Sequence, residues 1–112
     1  MIEKVKYVIW AKEMAASLSF YKKLGAEIGV ENPAGCTVKL AGSEIFVHSG
    51  GEGKRTWTGL TFVVGDIREV AKRVEEAGGE LLKAIEDTPE EPAHLAYCAD
   101  PAGNEFMLSL RR

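Results

Sequence analysis

SLSFYKKLG, residues 17–25, is the stretch of sequence that decides the fold. Apolar side chains recur around it at the spacing of one helix face: Met14, Leu18, Tyr21 and Leu24. Gly25 follows at the place where a helix commonly ends on a left-handed residue. The pattern therefore predicts a helix over residues 14–24 that stops at this glycine.

The same pattern returns further along the chain. Residues 67–77 repeat the helical spacing, and Gly78 stands 53 residues after Gly25. A segment rich in β-branched and aromatic residues precedes each helix, at 4–10 and at 59–64. The chain therefore reads as two copies of one supersecondary unit.

A second internal match extends the repeat towards its end. Residues 41–47, AGSEIFV, align with residues 102–108, AGNEFML, at an offset of 61. The eight additional residues fit a loop insertion around Glu86 to Ala93, which contains Pro89 and Pro92.

Each copy is predicted to form a βαβββ module. Further strands are predicted near 26–30, 36–40, 43–48, 80–85, 94–99 and 104–110. Asp66, followed three residues later by Glu69, is predicted to cap the second helix. The expected fold is α+β, a single domain over 1–112, with modules at about 1–50 and 57–112 joined by a linker at about 49–56.

Composition narrows the functional classes. The chain has 112 residues, 46% of them apolar, with a net charge of −3. These values suit one domain with a real core, and the lack of a basic stripe argues against nucleic acid or a membrane as partner. Cys36 and Cys98 lack metal-site spacing and are expected to be free thiols. With no signal-peptide pattern at the N-terminus, we expect a cytoplasmic location.

Three motifs resemble the vicinal-oxygen-chelate superfamily, which includes glyoxalases, bleomycin-resistance proteins and extradiol dioxygenases. Residues 17–25 resemble the family's first helix, which often reads S-x-x-F-Y and closes on L-G. Residues 100–106, DPAGNEF, resemble its D-P-x-G-N turn before the last strand, and residues 75–79 the end of its second helix. The resemblance implies two modules whose curled sheets form a cup, with helices outside, a small-molecule ligand inside, and a homodimer.

Strand alternation predicts which side chains face that cup. One face of the predicted strands is uniformly apolar, as expected against helices, and the other is mixed. The expected ligand-binding residues on the mixed face are Lys6, Val8, Trp10, Phe46, His48, Gly59, Thr61, Met107 and Ser109. Either Tyr97 or Cys98 should join them, but parity alone does not decide which. Trp10 and Trp57 could both form aromatic walls, or could pack in the core.

The resemblance also implies four cup-facing positions where family enzymes carry metal ligands, usually His, Glu or Gln. In this sequence those positions hold Lys6, Phe46, Gly59 and Met107. Such side chains cannot bind a hard or borderline divalent ion, which needs oxygen or imidazole donors. We therefore expect no metal and no other cofactor. His48, two residues beyond one position, is interpreted as a cup-rim histidine rather than as a ligand.

Three functional hypotheses follow. The first is a metal-independent binding protein that sequesters a small organic ligand. The second is a metal-dependent lyase of the lactoylglutathione-lyase type, or a dioxygenase. The residues at the four metal-ligand positions argue against this second hypothesis. The third is a metal-free enzyme that uses Lys6 and His48. The sequence does not identify the ligand or say whether the modules pair within or between chains.

Overall fold

The computed structural model describes residues 1–90 and 92–111 of the chain. Two helices and eight strands follow one another in the order β1 (Val8–Ala11), α1 (Met14–Lys23), β2 (Glu27–Ile28), β3 (Gly35–Leu40), β4 (Ser43–Ser49), β5 (Thr56–Val64), α2 (Ile67–Glu76), β6 (Glu80–Leu81), β7 (Leu95–Ala99) and β8 (Asn104–Leu110).

Each half of the chain forms its own four-stranded mixed sheet. The strand orders are β1-β4-β3-β2 and β5-β8-β7-β6. In both sheets the first strand of the module pairs in parallel with the last, and the other pairs are antiparallel. The predicted α+β fold of two βαβββ modules is confirmed.

The helix boundaries follow the predicted local signals. The Asp66 carboxylate accepts a hydrogen bond from the Glu69 backbone N–H at 3.1 Å, which caps α2. Gly25 and Gly78 have φ values of +98° and +102°, in the left-handed region that favours glycine. The capping residue and both glycine stops are therefore confirmed.

The first strand was predicted too early. It begins at Val8 rather than at residue 4, and its ladder with β4 starts at the pair Val8–Phe46. The backbone carbonyl of Tyr7 still accepts from the Phe46 N–H, but Val5 is 87% exposed. Apolar alternation predicted a strand here, yet a strand also needs a partner for its backbone groups.

The second module begins with a longer strand than predicted. β5 starts at Thr56, which pairs with Asn104. The register then shifts between Trp57 and Thr61, so that three residues of β5 (58–60) lie opposite one residue of β8, Phe106. A β-bulge of this kind increases the twist of the strand. Gly59 lies within it at φ +77°, a conformation that disfavours side chains.

The segment between the modules is fixed by backbone hydrogen bonds. The Gly51 N–H donates to the Ala11 carbonyl at 2.8 Å, at the end of β1. The Thr56 N–H donates to the Gly103 carbonyl at 3.0 Å, within the turn before β8. A glycine-rich segment predicted to be a flexible linker thus contacts both modules.

Both modules contribute to one buried cluster. Phe20 of α1 is fully buried, and its ring lies 6.2 Å from that of Phe106 in β8. Phe62 of β5 lies 5.1 Å from the same ring. The helix-facing sides of the two sheets therefore share a core, which is the main stabilising term in folding.

A buried polar network ties the modules together at one end of this core. The Tyr21 hydroxyl donates to Asp100 Oδ2 at 2.6 Å. Asn104 Nδ2 donates to the same oxygen at 2.9 Å and to the Trp10 carbonyl at 2.7 Å. The other oxygen, Oδ1, accepts from the backbone N–H of Ala102 and of Asn104, at 2.9 and 3.0 Å.

This network changes the acidity of both titratable groups. Burial raises the pKa of Tyr21 well above 10.0, and the neighbouring Asp100 carboxylate adds to the rise. Burial also raises the pKa of Asp100, although hydrogen bonds from Tyr21, Asn104 and Ala102 oppose that effect.

The predicted insertion separates β6 from β7. Residues 86–90 and 92–93 form neither helix nor strand, as expected, and Glu91 lies outside the described residues. No helix in the described part of the chain is long and apolar enough to cross a membrane.

Gly79→Ala is expected to destabilise the protein by about 1–3 kcal/mol, as overpacked core substitutions do. The added methyl would lie 2.6 Å from the Ala99 carbonyl oxygen and 2.6 Å from a carbon of the Phe20 ring. Gly65→Ala is the control, because the nearest atom to its methyl is 3.7 Å away on Arg111. Urea unfolding measures both, and equal midpoints for the two variants would contradict the close packing at Gly79.

Tyr21→Phe is expected to flatten the alkaline loss of stability. The pKa of Tyr21 is raised in the folded state, so its contribution is complete below about pH 10, the unfolded value. This contribution to the free energy of unfolding falls by up to about 1.4 kcal/mol per pH unit as the pH rises towards the pKa of the folded state. Thermal unfolding of the wild type and the variant from pH 9 to 11 tests this. Tyr7 and Tyr97 are present in both proteins, so a difference between the two curves reports on Tyr21. Parallel stability curves would refute the prediction.

Candidate functional site

The strands separate their side chains onto two faces, as alternation predicts. Ile9 and Val47 are buried on the helix-facing side of the first sheet, whereas their neighbours Trp10 and His48 are not. In the second sheet Leu108 is buried and Met107 is half-buried. We call the faces opposite the helices the cup, with one half on each sheet.

The first half of the cup carries an aromatic cluster. The Trp10 and His48 rings lie 4.3 Å apart, on residues paired in register, and the Phe46 ring lies 5.9 Å from His48. Val8 pairs with Phe46 in the same ladder. The structure thus brings together four of the predicted ligand-binding residues.

The hydrogen bond of His48 fixes the role of its ring. Nδ1 lies 2.6 Å from the Ser49 carbonyl oxygen. A carbonyl oxygen only accepts, so Nδ1 is the donor in this hydrogen bond.

The second half of the cup carries three more of the predicted residues. Thr61 pairs in register with Met107, and Val63 pairs with Ser109. Tyr97 pairs with Met107 from the other side. The Trp57 ring lies 6.2 Å from the Tyr97 ring, so an aromatic pair borders this half of the cup.

The alternative between Tyr97 and Cys98 is resolved by burial. Cys98 is fully buried on the helix-facing side, whereas Tyr97 is only half-buried and faces the cup. Burial raises the pKa of Cys98 to about 11, and Glu75 adds to the rise. The thiol therefore stays protonated at neutral pH and is a poor nucleophile.

Lys6 and Gly59, the remaining predicted residues, lie at the seam where β1 and β5 face each other. The Tyr7 hydroxyl donates to the Thr58 carbonyl across this seam. Lys6 is exposed, precedes β1, and lines a seam cavity of about 400 Å³ together with Trp10 and Trp57. Gly59 lies in the bulge of β5. A Cβ atom added at this position would lie 3.5 Å from the Tyr7 hydroxyl oxygen.

The side chains at the four metal-ligand positions do not fit a divalent ion. Phe46 and Met107 point no oxygen or nitrogen into the cup, and Gly59 has no side chain. Lys6 offers an ammonium group, which has no free lone pair when protonated. Among residues 1–90 and 92–111, no three His, Cys, Asp or Glu side chains are placed to hold a metal. Whether the predicted cup residues bind a ligand stays a prediction.

Two residues bordering the cup were missing from the predicted set. The sequence did not decide whether Tyr97 or Cys98 faces the cup, because only the packing of the core distinguishes the two. Lys83 gave no signal, since its position depends on the course of the chain after β6; its Nζ lies 4.6 Å from the centre of the Tyr97 ring. Trp57 was considered as a wall, and at 53% exposure it is not a core residue.

Comparison with solved structures shows the same fold in several proteins. FosX, a fosfomycin resistance protein from Listeria monocytogenes, aligns with a TM-score of 0.79 and 18% identity, over 100% of this chain and 94% of that chain. The hypothetical protein SA1046 from S. aureus gives 0.75 and 17%, over 99% of this chain and 95% of that chain. A variant of FosX has been solved as a complex with Mn(II) and 1S,2S-dihydroxypropylphosphonic acid.

A third structure carries the family's name. It is a member of the Glyoxalase/bleomycin resistance protein/dioxygenase superfamily from Sphaerobacter thermophilus, with a TM-score of 0.67 and 25% identity, over 99% of this chain and 100% of that chain. No curated protein matches the sequence. The family model described as Glyoxalase/Bleomycin resistance protein/Dioxygenase superfamily matches residues 5–108. The chain therefore belongs to this superfamily.

Proposed function

We propose that this chain is a metal-independent binding protein, which sequesters a small organic ligand in its cup. The observation that carries the proposal is the chemistry of the four metal-ligand positions, Lys6, Phe46, Gly59 and Met107. None of these offers the carboxylate or imidazole donors that a catalytic divalent ion needs. A metal-dependent lyase or dioxygenase would need at least three such donors.

The lining of the cup supports ligand binding. Trp10 and Trp57 are 49% and 53% exposed, an unusual position for large aromatic side chains in a single domain. Both border the seam cavity, and each is flanked by a further ring, His48 or Tyr97. Concave sites with apolar and aromatic walls and few polar groups are typical of small-molecule binding.

We also propose that the protein is a homodimer. Its accessible surface is 7297 Å², whereas a compact monomer of 12.2 kDa exposes about 6,100 Å². The excess, roughly 1,200 Å², is sufficient for one side of a standard interface, which needs about 800 Å².

An open groove gives that second copy a place to bind. The groove has a volume of about 700 Å³ and runs along the free edge of β5, with an apolar lining that includes Leu24, Leu60, Phe62 and Val70. Val63, 66% exposed, lines it as well. A second chain would remove this apolar surface from water.

The remaining expectations extend the proposal. One buried cluster drawn from both modules supports a single domain over 1–112. Cys36 and Cys98 are both free thiols, which supports a reducing compartment such as the cytoplasm.

Metal retention and ligand binding test the function together. After incubation with nickel, zinc, manganese or iron and gel filtration, we expect less than one tenth of an ion per chain, because the cup lacks donors. Ligands found by thermal shift should raise the melting temperature equally with and without EDTA. Trp10→Ala should make this rise smaller, because it removes an aromatic wall of the cup. One retained ion per chain, lost in His48→Ala, would overturn the metal-independent reading.

Sedimentation equilibrium tests the dimer. We expect a mass of twice 12.2 kDa at micromolar concentration. Val63→Glu should raise the dissociation constant at least tenfold, about 1.4 kcal/mol, because it places a charge in the apolar groove. Val30→Glu is the control, since Val30 is 91% exposed and does not line the groove. A monomer mass at all concentrations would contradict the proposal.

A further inference from the structure

The two halves of the cup are filled differently. In the first half, Trp10, His48 and Phe46 occupy the space with their own rings, 4.3 and 5.9 Å apart. The internal repeat places Val63, Ser109 and Met107 at the equivalent positions of the second half. These side chains are smaller or more flexible than the three rings, so they fill less of their half of the cup.

The second half has its own aromatic surface in place of that cluster. Tyr97 lies next to Met107 in the ladder between β7 and β8, and Leu95 lies next to Ser109. Trp57 stands 6.2 Å from Tyr97 with its ring tilted by 51°. Two rings held at an angle can contact a flat group on its face and on its edge.

A cation stands over this aromatic surface. Lys83 Nζ lies 4.6 Å from the centre of the Tyr97 ring, within the range of a cation–π contact. Among the described residues, no carboxylate lies within 4.0 Å of this ammonium group. Lys83 therefore has charge available for an anion, in a chain whose net charge is −3.

Lys83 and Tyr97 also share a cavity. It measures about 270 Å³ and lies between the segment 83–88 and the strand residues 94–97. Trp57, Met107 and Ser109 do not line it, so it adjoins the cup at Tyr97. Its volume is slightly below the range of about 300–1,000 Å³ that is typical of small-molecule sites, so the ligand must be small or extend into the cup. Glu86 lines the same cavity, so its charge is mixed and a singly charged anion suits it better than a doubly charged one.

We propose that the ligand occupies the second half of the cup and is a small planar organic monoanion, such as an aromatic carboxylate. Its flat part lies against Tyr97 and Trp57, and its charged group pairs with Lys83. The inference rests on the proposed binding function and adds to it the class of ligand and the half of the cup. Lys83 is then the residue that determines specificity for charge.

Binding of 2-naphthoate and of its neutral analogue 2-naphthamide tests the proposal. Dissociation constants come from ¹H–¹⁵N spectra, in which Trp10→Phe assigns the two indole signals. We expect the wild type to prefer 2-naphthoate about tenfold and the Trp57 indole to shift more than that of Trp10. Lys83→Met should abolish the preference, so that both probes bind with equal affinity, while Lys83→Arg should retain it.

Lys72→Met is the matched control, because it removes the same charge from an exposed position on α2. It should keep the preference, which excludes an effect of net charge. Equal affinity of the wild type for both probes would overturn the role of Lys83 but leave binding in the cup intact. Shifts confined to the Trp10 indole would overturn the assignment to the second half. Absence of binding by either probe would overturn the inference, whereas the proposed function has its own test in metal retention and thermal shift.

Discussion

The buried carboxylate of Asp100 is the interaction on which the arrangement of the two modules depends. A buried charge is tolerated only when its lone pairs are satisfied, and Asp100 accepts hydrogen bonds from its own turn, from Asn104 and from Tyr21 on the first helix. Asn104 in turn holds the backbone of β1 at Trp10. Satisfying one carboxylate therefore fixes the second module's last turn against the first module's helix and first strand.

The repeat does not reproduce this joint at the other end of the seam. The repeat mates of Tyr21, Asp100 and Asn104 are Val74, Lys39 and Ser43, which cannot form the same network. That end instead carries the apolar groove, to which Ser43 contributes. Two modules with one fold thus make one closed polar joint and one open apolar surface, and the open surface is the one that a second chain can cover.

The cup shows a similar division of roles between the modules. At the positions that the family resemblance assigns to metal ligands, the chain has an ammonium, two apolar side chains and a glycine, which supports the proposal of metal-independent binding. The aromatic cluster around His48 fills one half, whereas Tyr97 of the other half borders a cavity that it shares with Lys83. Fold membership alone says little about activity, because function resides in the particular residues of the site.

The sequence by itself determined the local elements, because their causes are local. Helical spacing, the cap at Asp66 and the glycines after each helix predicted both helices, and the internal repeat predicted the second βαβββ module. Alternation correctly predicted the two faces of most strands. The motifs also assign the metal-ligand positions and the ligand-binding residues of the cup, and both assignments stay predictions.

Only the tertiary structure decided where β1 begins, which of Tyr97 and Cys98 faces the cup, and how Lys83 reaches Tyr97. Each of these depends on partners distant in sequence: a ladder neighbour for β1, core packing around Cys98, and the course of the chain after β6. Periodicity carries no information about such partners, since they are set by how the two sheets meet rather than by the spacing of residues along one strand.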